Sequence, residues 1–493
     1  MTDPTIELLE TIGPGRMPPV PYDTAWVARL VDIDSCLSNE AMGWLCAHQL
    51  SDGAWGAESP FYYHDRVICT LAAMIALARR GRRSQDRKQI ELGQQALERI
   101  CEGATAGLAK DVRGATVGFE MIAPTLVAEA ERLGLIKRQG ERILGKLGNL
   151  RAMKRQKLQG GIHRYSTVAF SAEMAGEDFD MLNLSQLTES NGSVGCSPAA
   201  TAYYVLMVKP GDSAALSYLK HSRDAQSGGV PNVAPFDVFE VAWTLWNLAL
   251  TWPEIRFHPA VKKHVSFLER AWQPGQGTGF AADYSVRDGD DTGLVFETLK
   301  RYETAVDIDA VLSYEEPLNF RCYPLEANPS TSAHAHILGA LRASGMDRNA
   351  PPVSKAIHFL ERARVPGGYW HDKWHISPYY VTSHIVIACA GFAPELVLQA
   401  VHWLLDTQNK SGAWGMYTPT AEETAYCIQA LWAWSQHHPG NTQIKALNAV
   451  RNALLWLKDH VEPPYPPLWI GKCLYCPENV IRSAVLSALN VQR

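Results

Sequence analysis

Apolar residues recur along most of the chain every three or four positions, which is the spacing of one face of an α-helix. Clear examples are three sets: Leu71, Met74, Ile75 and Ala78; Val241, Leu245 and Leu248; and Ile481, Ala484, Val485 and Ala488. The alternation of apolar and polar residues that is typical of strands is scarce. The pattern therefore predicts an all-α protein.

Glycine-rich turns separate the predicted helices, and two of these turns are near copies. Residues 49–56 read Q-L-S-D-G-A-W-G, and residues 408–415 read Q-N-K-S-G-A-W-G. Weaker copies lie at residues 226–229, 273–279 and 366–370. Repeated units of helix and turn predict stacked helical hairpins. In each unit we expect the Gln side chain to cap backbone groups and the Trp ring to pack between helices.

The positions of the two near copies indicate how the helices are grouped. The copies lie 359 residues apart (408 minus 49), which favours two α-helical barrels over one. The Pro- and Gly-rich stretch from Gly228 to Pro235 is the candidate boundary between the barrels. Because active sites favour such junctions, we expect the site near this boundary.

Composition and charge describe an ordinary globular protein of 493 residues, 46% of them apolar, with a formal net charge of −5. This length suffices for about two or three domains. The nearly balanced charge provides no electrostatic footprint for a nucleic acid. The longest apolar run, residues 67–78, covers about 12 residues where a membrane-spanning helix needs roughly 20, so no membrane span is expected.

The N-terminus and the cysteines predict a cytoplasmic protein. Residues 1–4 do not begin a secretion signal. Ten cysteines lie mostly in apolar contexts, which indicates buried thiols in a reducing compartment. Cys473 and Cys476 form a C-x-x-C pair, but a zinc site needs two further ligands at matching spacing, so packing is the favoured interpretation.

Three carboxyl groups lie within four residues at the start of an apolar helix: Asp288, Asp290 and Asp291. A single Asp would be explained as a helix N-cap. Three exceed what a cap needs, and their mutual repulsion raises the proton affinity of at least one of them. The residues alone fit two kinds of chemistry equally well, a general acid that stays protonated near neutrality and an oxygen-ligand site for a divalent metal.

The D-x-D-D pattern at 288–291, the Q-x-x-x-G-x-W turns and the segment Pro231-Asn232-Val233 together resemble the class II diterpene cyclases. The similarity extends along nearly the whole chain. Segments shared with the bacterial halimadienyl diphosphate synthases lie at residues 22–26, 191–194, 421–426 and 467–470. Plant and bacterial copalyl diphosphate synthases share Asn232 and its neighbours.

This resemblance implies the βγ architecture of terpene cyclases, with two α-helical barrels. Residues 1–25 would supply the first helix of the β domain, residues 26–228 the γ domain, and residues 229–493 the rest of the β domain with the D-x-D-D motif. The implied activity is that of an isomerase that cyclises geranylgeranyl diphosphate by protonation and retains the diphosphate. Class I chemistry uses D-D-x-x-D, and here Leu294 occupies the position of the last aspartate.

The resemblance also assigns roles around the acidic motif. Asp290 would protonate the terminal alkene, and Asp288 and Asp291 would keep Asp290 protonated at rest through like-charge repulsion. His336 falls where related cyclases place a donor to the carboxyl oxygen that does not carry the proton. A satisfied core histidine is the alternative interpretation of His336.

A carbocation needs a dry cavity with aromatic walls, and the chain has 15 Trp. Candidates for these walls are Trp243, Trp246, Tyr284, Trp370, Trp374, Tyr379 and Tyr380, although aromatic residues at helical spacing are also typical of a plain core. Lys373 and Lys472 are candidate diphosphate ligands, with a solvated surface lysine as the alternative for each. Magnesium is expected with the diphosphate. Its site is not assigned, because the acidic motif of the plant enzymes is reduced here to Asp111.

Phe170 bears on how the reaction ends. In the copalyl-forming relatives a histidine and the Asn of Pro-Asn-Val hold the water that removes the last proton. Asn232 is present, but Phe170 occupies the histidine position and cannot accept a proton. A cation that is not quenched promptly undergoes hydride and methyl shifts, so we predict a halimadane or clerodane skeleton, with kolavenyl diphosphate as the leading product. The alternatives are copalyl diphosphate, or drimenyl diphosphate made from farnesyl diphosphate. A separate class I terpene synthase would take the product.

Three other functions compete with this interpretation. His371 and His375 have the i, i+4 spacing of a zinc protease helix, but Asp372 replaces the expected Glu and Pro378 soon interrupts the helix. Protein prenyltransferase β-subunits also form α-helical barrels, but they need zinc and a partner chain. A non-catalytic helical scaffold would leave three clustered carboxyl groups unexplained.

Overall fold

The computed structural model describes residues 3–80, 83–102, 115–137, 139–144, 151–152, 155–156, 160–324, 326 and 328–491. Asp111, the remnant of the acidic motif, lies outside the described residues. Within them the chain consists of helices, short helical turns and a two-stranded hairpin, so the all-α prediction is confirmed. None of the helices in these ranges combines the length and apolarity needed to cross a membrane.

The helices of the first half are α1 (Pro4–Thr11), α2 (Pro21–Val27), α3 (Ser35–Ala47), α4 (Tyr63–Arg80), α5 (Ser84–Glu102), α6 (Phe119–Arg132), α7 (Gln139–Leu144), α8 (Pro198–Tyr203) and α9 (Ser213–Ser222). Short 3₁₀ helices lie at Thr167–Ala175, Phe179–Met181 and Leu184–Gln186, and a π-helical turn lies at Tyr204–Val208.

The helices of the second half are α10 (Asp237–Thr251), α11 (Lys262–Ala271), α12 (Gly289–Arg301), α13 (Asp309–Leu312), α14 (Thr331–Ala343), α15 (Pro351–Ala363), α16 (Pro378–Cys389), α17 (Pro394–Asp406), α18 (Ala421–His437), α19 (Asn441–Leu457) and α20 (Glu478–Asn490). Two 3₁₀ helices lie at Pro253–Phe257 and Pro259–Val261. Strands β1 (Trp469–Ile470) and β2 (Leu474–Tyr475) form an antiparallel hairpin in which Trp469 pairs with Tyr475.

The second half is a closed ring of inner helices surrounded by outer ones. Helices α10, α12, α14, α16, α18 and α20 each pack on the next, and α20 packs back on α10. Helices α11, α13, α15, α17 and α19 lie against the outside of this ring. Helix α1 also packs on α20, and Leu9 O of α1 is 2.7 Å from Nε2 of His264. The N-terminal helix therefore belongs to the ring of the second half.

The first half forms a smaller ring. Helices α4, α2 and α8, the 3₁₀ helix Thr167–Ala175 and helix α6 pack in that order, and α6 closes on α4. Helices α3, α5, α7 and α9 cover the outside. The expected boundary between residues 25 and 26 falls inside α2, so the chain crosses from one ring to the other before Pro21. One cluster of buried apolar side chains runs through both rings.

The repeated turns have the predicted geometry. Gln49 Nε2 donates to Gly53 O at 2.8 Å, and Gln408 Nε2 donates to Gly412 O at 2.6 Å. The Trp indole N–H groups reach back to the preceding helix at 2.7 to 2.8 Å, in the pairs Trp55 with Leu45 O, Trp370 with Leu360 O and Trp414 with Leu404 O. The Gln and Trp side chains thus fasten each turn to its neighbouring helices, as expected.

Candidate active site

A cavity lies where the two rings meet, beside the β1–β2 hairpin. It is lined from the first half by Val117, Thr167 and Phe170. The second half contributes Asn232 and the three carboxyl groups of the D-x-D-D segment. Its aromatic lining consists of Phe170, Phe236, Phe239, Phe280, Tyr284, Tyr323, Trp374, Trp469 and Tyr475. A cavity of this composition suits an apolar ligand.

The D-x-D-D segment begins α12, and its first Asp is the helix N-cap. Oδ1 of Asp288 accepts the backbone N–H of Asp291 at 2.8 Å. Burial raises the pKa of Asp288 to about 7, although its hydrogen bonds to Asp291 act in the opposite direction. Burial, followed by the charge of Asp288, raises the pKa of Asp291 well above its ordinary value. For Asp288 and Asp291, burial is thus the larger cause of the raised pKa, and like-charge repulsion is the smaller one. This corrects the expectation from the sequence, which named repulsion as the cause.

Asp290 is the member of the segment whose carboxyl group is held by a histidine. Its side chain is 14% exposed and lines the cavity. Oδ1 of Asp290 lies 2.5 Å from Nδ1 of His336, and Oδ2 lies 3.4 Å from Oγ of Ser332. The carboxyl oxygen Oδ2 is therefore the one left to carry a proton toward the cavity.

A second histidine stands behind the first. Nε2 of His336 lies 2.8 Å from Nδ1 of His384 on α16. Burial, and then the neighbouring histidines, hold the pKa of His384 well below its ordinary value, so its ring is neutral. With a proton on Nδ1 of each ring, His384 donates to His336 and His336 donates to Asp290. His384 was not predicted from the sequence, where its signal is a polar residue within the apolar run of α16.

A glycine allows the acid and the histidine to meet. Gly293 lies one turn after Asp290 on α12, where that helix crosses α14. A Cβ atom at Gly293 would lie 2.9 Å from the backbone N of Ile337 and 3.0 Å from the carbonyl carbon of His336. The two helices therefore approach more closely than a side chain would permit, and this approach brings the Asp290 carboxyl group to His336.

Asp372 anchors the start of α14 beneath Asp290. It accepts backbone N–H groups from Thr331 at 2.9 Å, Ser332 at 3.1 Å and Trp374 at 3.0 Å. Burial alone would raise the pKa of Asp372, but these hydrogen bonds bring it below its ordinary value. Oγ of Ser332 also donates to Asp372 at 3.0 Å, which places this hydroxyl between Asp372 and Asp290.

The zinc-protease interpretation of residues 371–375 is wrong. This segment is irregular rather than helical, so the i, i+4 spacing does not place the two histidines on one helix face. Asp372 faces the start of α14, and Nε2 of His375 lies 3.2 Å from Oε1 of Glu422.

The aromatic candidates divide into two groups. Tyr284 and Trp374 line the cavity as predicted. Trp243 stands behind the wall, because its ring stacks on Phe239 at 3.8 Å and meets His336 edge-on. Its Nε1 also lies 3.4 Å from the hydroxyl of Tyr380.

Four other candidates, Trp246, Trp370, Tyr379 and Tyr380, do not line the cavity, which corrects their assignment. Trp246 stacks on His384 and donates to Glu297. Tyr379 stacks on Trp403, and Trp370 belongs to a repeat turn. Several lining aromatics were not predicted from the sequence, because all of them except Phe239 lie outside the helices, where helical periodicity gives no signal: Phe236, Phe239, Phe280, Tyr323, Trp469 and Tyr475.

Asn232 and Phe170 face the cavity from opposite halves of the chain. Nδ2 of Asn232 donates to Oδ2 of Asp23 at 2.9 Å, which leaves Oδ1 as the free atom of the amide. Burial raises the pKa of Asp23 to about 7, while the charge of Lys472 acts to lower it. The pair that was inferred from the resemblance thus lies at one cavity, with an aromatic ring where a base would stand.

Both candidate lysines for the diphosphate have protein partners. Lys472 is fully buried, so its interpretation as a solvated surface lysine is wrong. Its Nζ donates to Oε1 of Glu173 at 2.8 Å, to Oγ of Ser197 at 2.6 Å and to Phe170 O at 2.9 Å. Lys373 pairs with Glu326 and also donates to Asn328 O at 2.9 Å.

The carboxyl groups of the D-x-D-D segment do not fit a magnesium ion. Asp288 caps a helix, Asp290 is bonded to His336, and burial favours the protonated forms of Asp288 and Asp291. Magnesium needs ionised oxygen ligands in octahedral geometry with room for water. Of the two chemistries that the residues alone allowed, the structure favours the general acid.

Cys473 belongs to a buried group with Cys69 and Asp65, whose ligand atoms lie within 4.8 Å of one another. Both carboxyl oxygens of Asp65 already accept backbone N–H groups, from Ala57 at 2.7 Å and Leu474 at 2.8 Å. This group therefore fastens the β1–β2 hairpin to α4.

Similarity to known proteins agrees with this geometry. Residues 302–453 match the family model of the squalene-hopene cyclase C-terminal domain. A Type B diterpene cyclase from Mycobacterium tuberculosis is 44% identical over 95% of each chain. An ent-copalyl diphosphate synthase from a Streptomyces species is 30% identical over 90% of this chain and 86% of its own. A (+)-kolavenyl diphosphate synthase from Herpetosiphon aurantiacus is 28% identical over 96% and 94%.

A solved structure shows the same fold. The ent-copalyl diphosphate synthase from Streptomyces platensis superposes with a TM-score of 0.81 at 28% identity and covers 99% of this chain and 98% of its own. The similarity in sequence extends over both rings, and the acid, its histidine and the aromatic cavity lie where they meet. The resemblance inferred from the motifs is confirmed, and the chain belongs to the family of class II diterpene cyclases, which are isomerases.

Proposed function

We propose that this chain cyclises geranylgeranyl diphosphate to a rearranged bicyclic diterpenyl diphosphate, with kolavenyl diphosphate first and halimadienyl diphosphate second. The observation that carries the proposal is the carboxyl group of Asp290, held by His336 at 2.5 Å at the edge of an aromatic cavity. The Type B diterpene cyclase and the kolavenyl diphosphate synthase among the relatives support this choice of product.

The first step is proton transfer from Oδ2 of Asp290 to the terminal alkene of the folded substrate. The proton adds to one alkene carbon, and the other carbon becomes a tertiary cation. The carboxylate that remains on Asp290 is stabilised by the N–H of His336. Two further alkenes then supply the electron pairs of the ring-closing bonds, so the positive charge ends on the bicyclic skeleton and the diphosphate stays in place.

The last step depends on Phe170 and Asn232. An amide oxygen binds water but is a very weak base, and a phenyl ring accepts no proton. Without a prompt base the cation persists, and hydride and methyl shifts move it along the skeleton before a proton is lost. The aromatic walls stabilise the cation during this delay by about 0.5 to 2 kcal/mol per contact.

The proposal also covers the metal ion and the enzyme that consumes the product. We expect Mg²⁺ to be carried by the diphosphate itself, and no reaction step is assigned to it. Because the product keeps its diphosphate, the enzyme that consumes it must ionise an allylic diphosphate, which is class I terpene synthase chemistry.

Product analysis tests this proposal. Purified protein is incubated separately with geranylgeranyl and farnesyl diphosphate, and the dephosphorylated products are identified by mass spectrometry and NMR. We expect a C20 alcohol with a kolavane or halimadane skeleton. Unrearranged copalol would replace the proposal with a copalyl diphosphate synthase, and a drimane product from the C15 substrate would replace it with a drimenyl diphosphate synthase.

The variant Phe170→His tests the reason given for rearrangement. It places a base beside Asn232, so we expect the product to shift toward unrearranged copalyl diphosphate at similar total turnover. Phe170→Leu is the matched control, because it removes the ring without adding a base. A product mixture that does not change in Phe170→His would show that proton loss is controlled elsewhere.

A further inference from the structure

A buried carboxyl group lies directly behind one wall of the cavity. Trp469 on β1 lines the cavity, and its Nε1–H donates to Oε1 of Glu422 at 2.7 Å. Glu422 is in the first turn of α18 and is fully buried. The ring of Trp469 is held in place by Tyr380 at 4.7 Å and by Phe239, which meets it edge-on at 5.4 Å.

The other partners of Glu422 are a tyrosine and a histidine. The hydroxyl of Tyr426 also donates to Oε1, at 3.2 Å. His375 is the one basic side chain of the described residues within ion-pair distance of Glu422, with Nε2 at 3.2 Å from Oε1. Nδ1 of His375 lies 3.1 Å from the backbone N and 3.2 Å from the carbonyl O of Ser377. His375 and the indole of Trp469 thus reach the same carboxyl oxygen.

The hydrogen bonds of Glu422 all fall on one of its two carboxyl oxygens. Three donors converge on Oε1, while Oε2 has no hydrogen-bond partner among the described residues. Buried carboxylates are normally paired on both oxygens, and each exception calls for an explanation. The indole N–H groups of Trp55 and Trp414 donate instead to backbone carbonyls, so an indole N–H at a repeat turn does not need a carboxyl partner.

We propose that Glu422 is a positioning residue that fixes Trp469 and makes its indole ring a stronger stabiliser of the carbocation. An N–H that donates to an anion shifts electron density into the ring, and the negative ring face attracts a cation. In the lower dielectric of the protein interior this attraction is stronger than in solution. The inference rests on the proposed function, because it needs a cationic intermediate beside Trp469.

The variant Glu422→Gln separates charge from shape. Its amide oxygen still accepts the N–H of Trp469, but the negative charge is gone. Two analogues of geranylgeranyl thiolodiphosphate are titrated calorimetrically, one with a protonated amine in place of a cationic carbon and one neutral isostere. We expect Glu422→Gln to weaken binding of the ammonium analogue by about tenfold and to leave binding of the neutral analogue unchanged.

Two further variants complete the test. Asp307→Asn is the matched control, because Trp272 Nε1 donates to Oδ1 of Asp307 at 2.8 Å and neither residue lines the cavity. It should bind both analogues as the wild type does. Trp469→Phe keeps the carboxyl group but removes the indole, and it should lose the same preference for the ammonium analogue. This variant also tests the proposal if Glu422→Gln does not fold.

The outcomes distinguish the inference from the function on which it rests. Equal weakening of both analogues in Glu422→Gln would mean that Glu422 only maintains the fold, and an unchanged preference in Glu422→Gln or Trp469→Phe would also overturn the proposal. Failure of the wild-type chain to bind the neutral C20 analogue would instead count against geranylgeranyl diphosphate as the substrate.

Discussion

The side chain of Asp290 lies at the proposed catalytic position and makes few hydrogen bonds that stabilise the fold. Its hydrogen bonds within the described residues go to His336 and Ser332, whereas Asp288 caps α12. Asp290→Asn should therefore fold and bind substrate normally, but it has no acidic proton to transfer. We expect single-turnover rates to fall by roughly 10²- to 10⁴-fold, the usual contribution of a general acid. A variant that keeps a tenth of the wild-type rate would exclude Asp290 as the acid.

His384 acts on the acid through His336. His384→Phe keeps the ring that stacks on Trp246 but removes the N–H that reaches Nε2 of His336. An unsatisfied buried acceptor costs about 1 to 3 kcal/mol, so we expect the single-turnover rate to fall about tenfold or more. His384→Asn restores an N–H near the position of Nδ1 and should recover most of the rate. Equal rates in His384→Phe and the wild type would show that His336 needs no second donor.

At the scale of elements, the acid works because α12 and α14 cross closely at Gly293. A methyl group there meets backbone atoms of His336 and Ile337, which cannot move aside as a flexible side chain can. We expect Gly293→Ala to lower the free energy of unfolding by about 1 to 3 kcal/mol. It should also reduce turnover, because separating the helices lengthens the bond between Asp290 and His336. Urea unfolding and single-turnover kinetics measure the two effects.

Gly43→Ala is the matched control for this prediction. Gly43 lies in α3, and a Cβ atom there would meet no heavy atom of the described residues within 4 Å. Replacing a helical Gly by Ala without a clash stabilises a protein by up to about 1 kcal/mol. Gly43→Ala should thus be slightly more stable than the wild type and fully active. If both variants behave alike, the crossing of α12 and α14 is not under steric control.

Some of the helices and turns could be predicted from the sequence, and others could not. The helical period predicts α4, α10 and α20, and the near-copy turns predict the hydrogen bonds of Gln49 and Gln408, because these features depend on neighbours in sequence. The D-x-D-D segment is likewise local, so its position at the start of α12 is predictable. The second donor His384 is not, because it contacts His336 only after α16 packs beside α14.

At the scale of the whole molecule, the cavity is assembled from segments that are far apart in the chain. Val117 and Phe170 come from the first ring, and Asn232, Trp469 and Tyr475 come from the second. Which helix face meets the cavity is decided by ring closure, and this explains why Trp246 was expected there while Phe239, on the same helix, was missed. The burial of Lys472 is also a property of the assembly, since its partners Glu173 and Ser197 belong to the other ring.

The junction of the two rings should also give the molecule a pH-dependent stability. Asp23 on α2 accepts the amide N–H groups of Ala199 and Asn232 and is fully buried. Burial raises its pKa from 3.8 to about 7, with the charge of Lys472 acting in the opposite direction. The folded state therefore binds this proton more tightly than the unfolded state does. Its contribution to stability is complete below about pH 4 and is lost as the pH rises to about 7.

Comparison with Asp23→Asn isolates this effect, because both proteins share every other titrating group, including the buried His384. The variant has no proton to lose at this position. From pH 5 to pH 8, we expect the free energy of unfolding of the wild type to fall relative to that of Asp23→Asn by about 2 kcal/mol. Urea unfolding followed by circular dichroism at each pH measures the difference. A difference that stays constant over this range would mean that Asp23 is already ionised in the folded protein at pH 5, and that Lys472 outweighs burial at the junction.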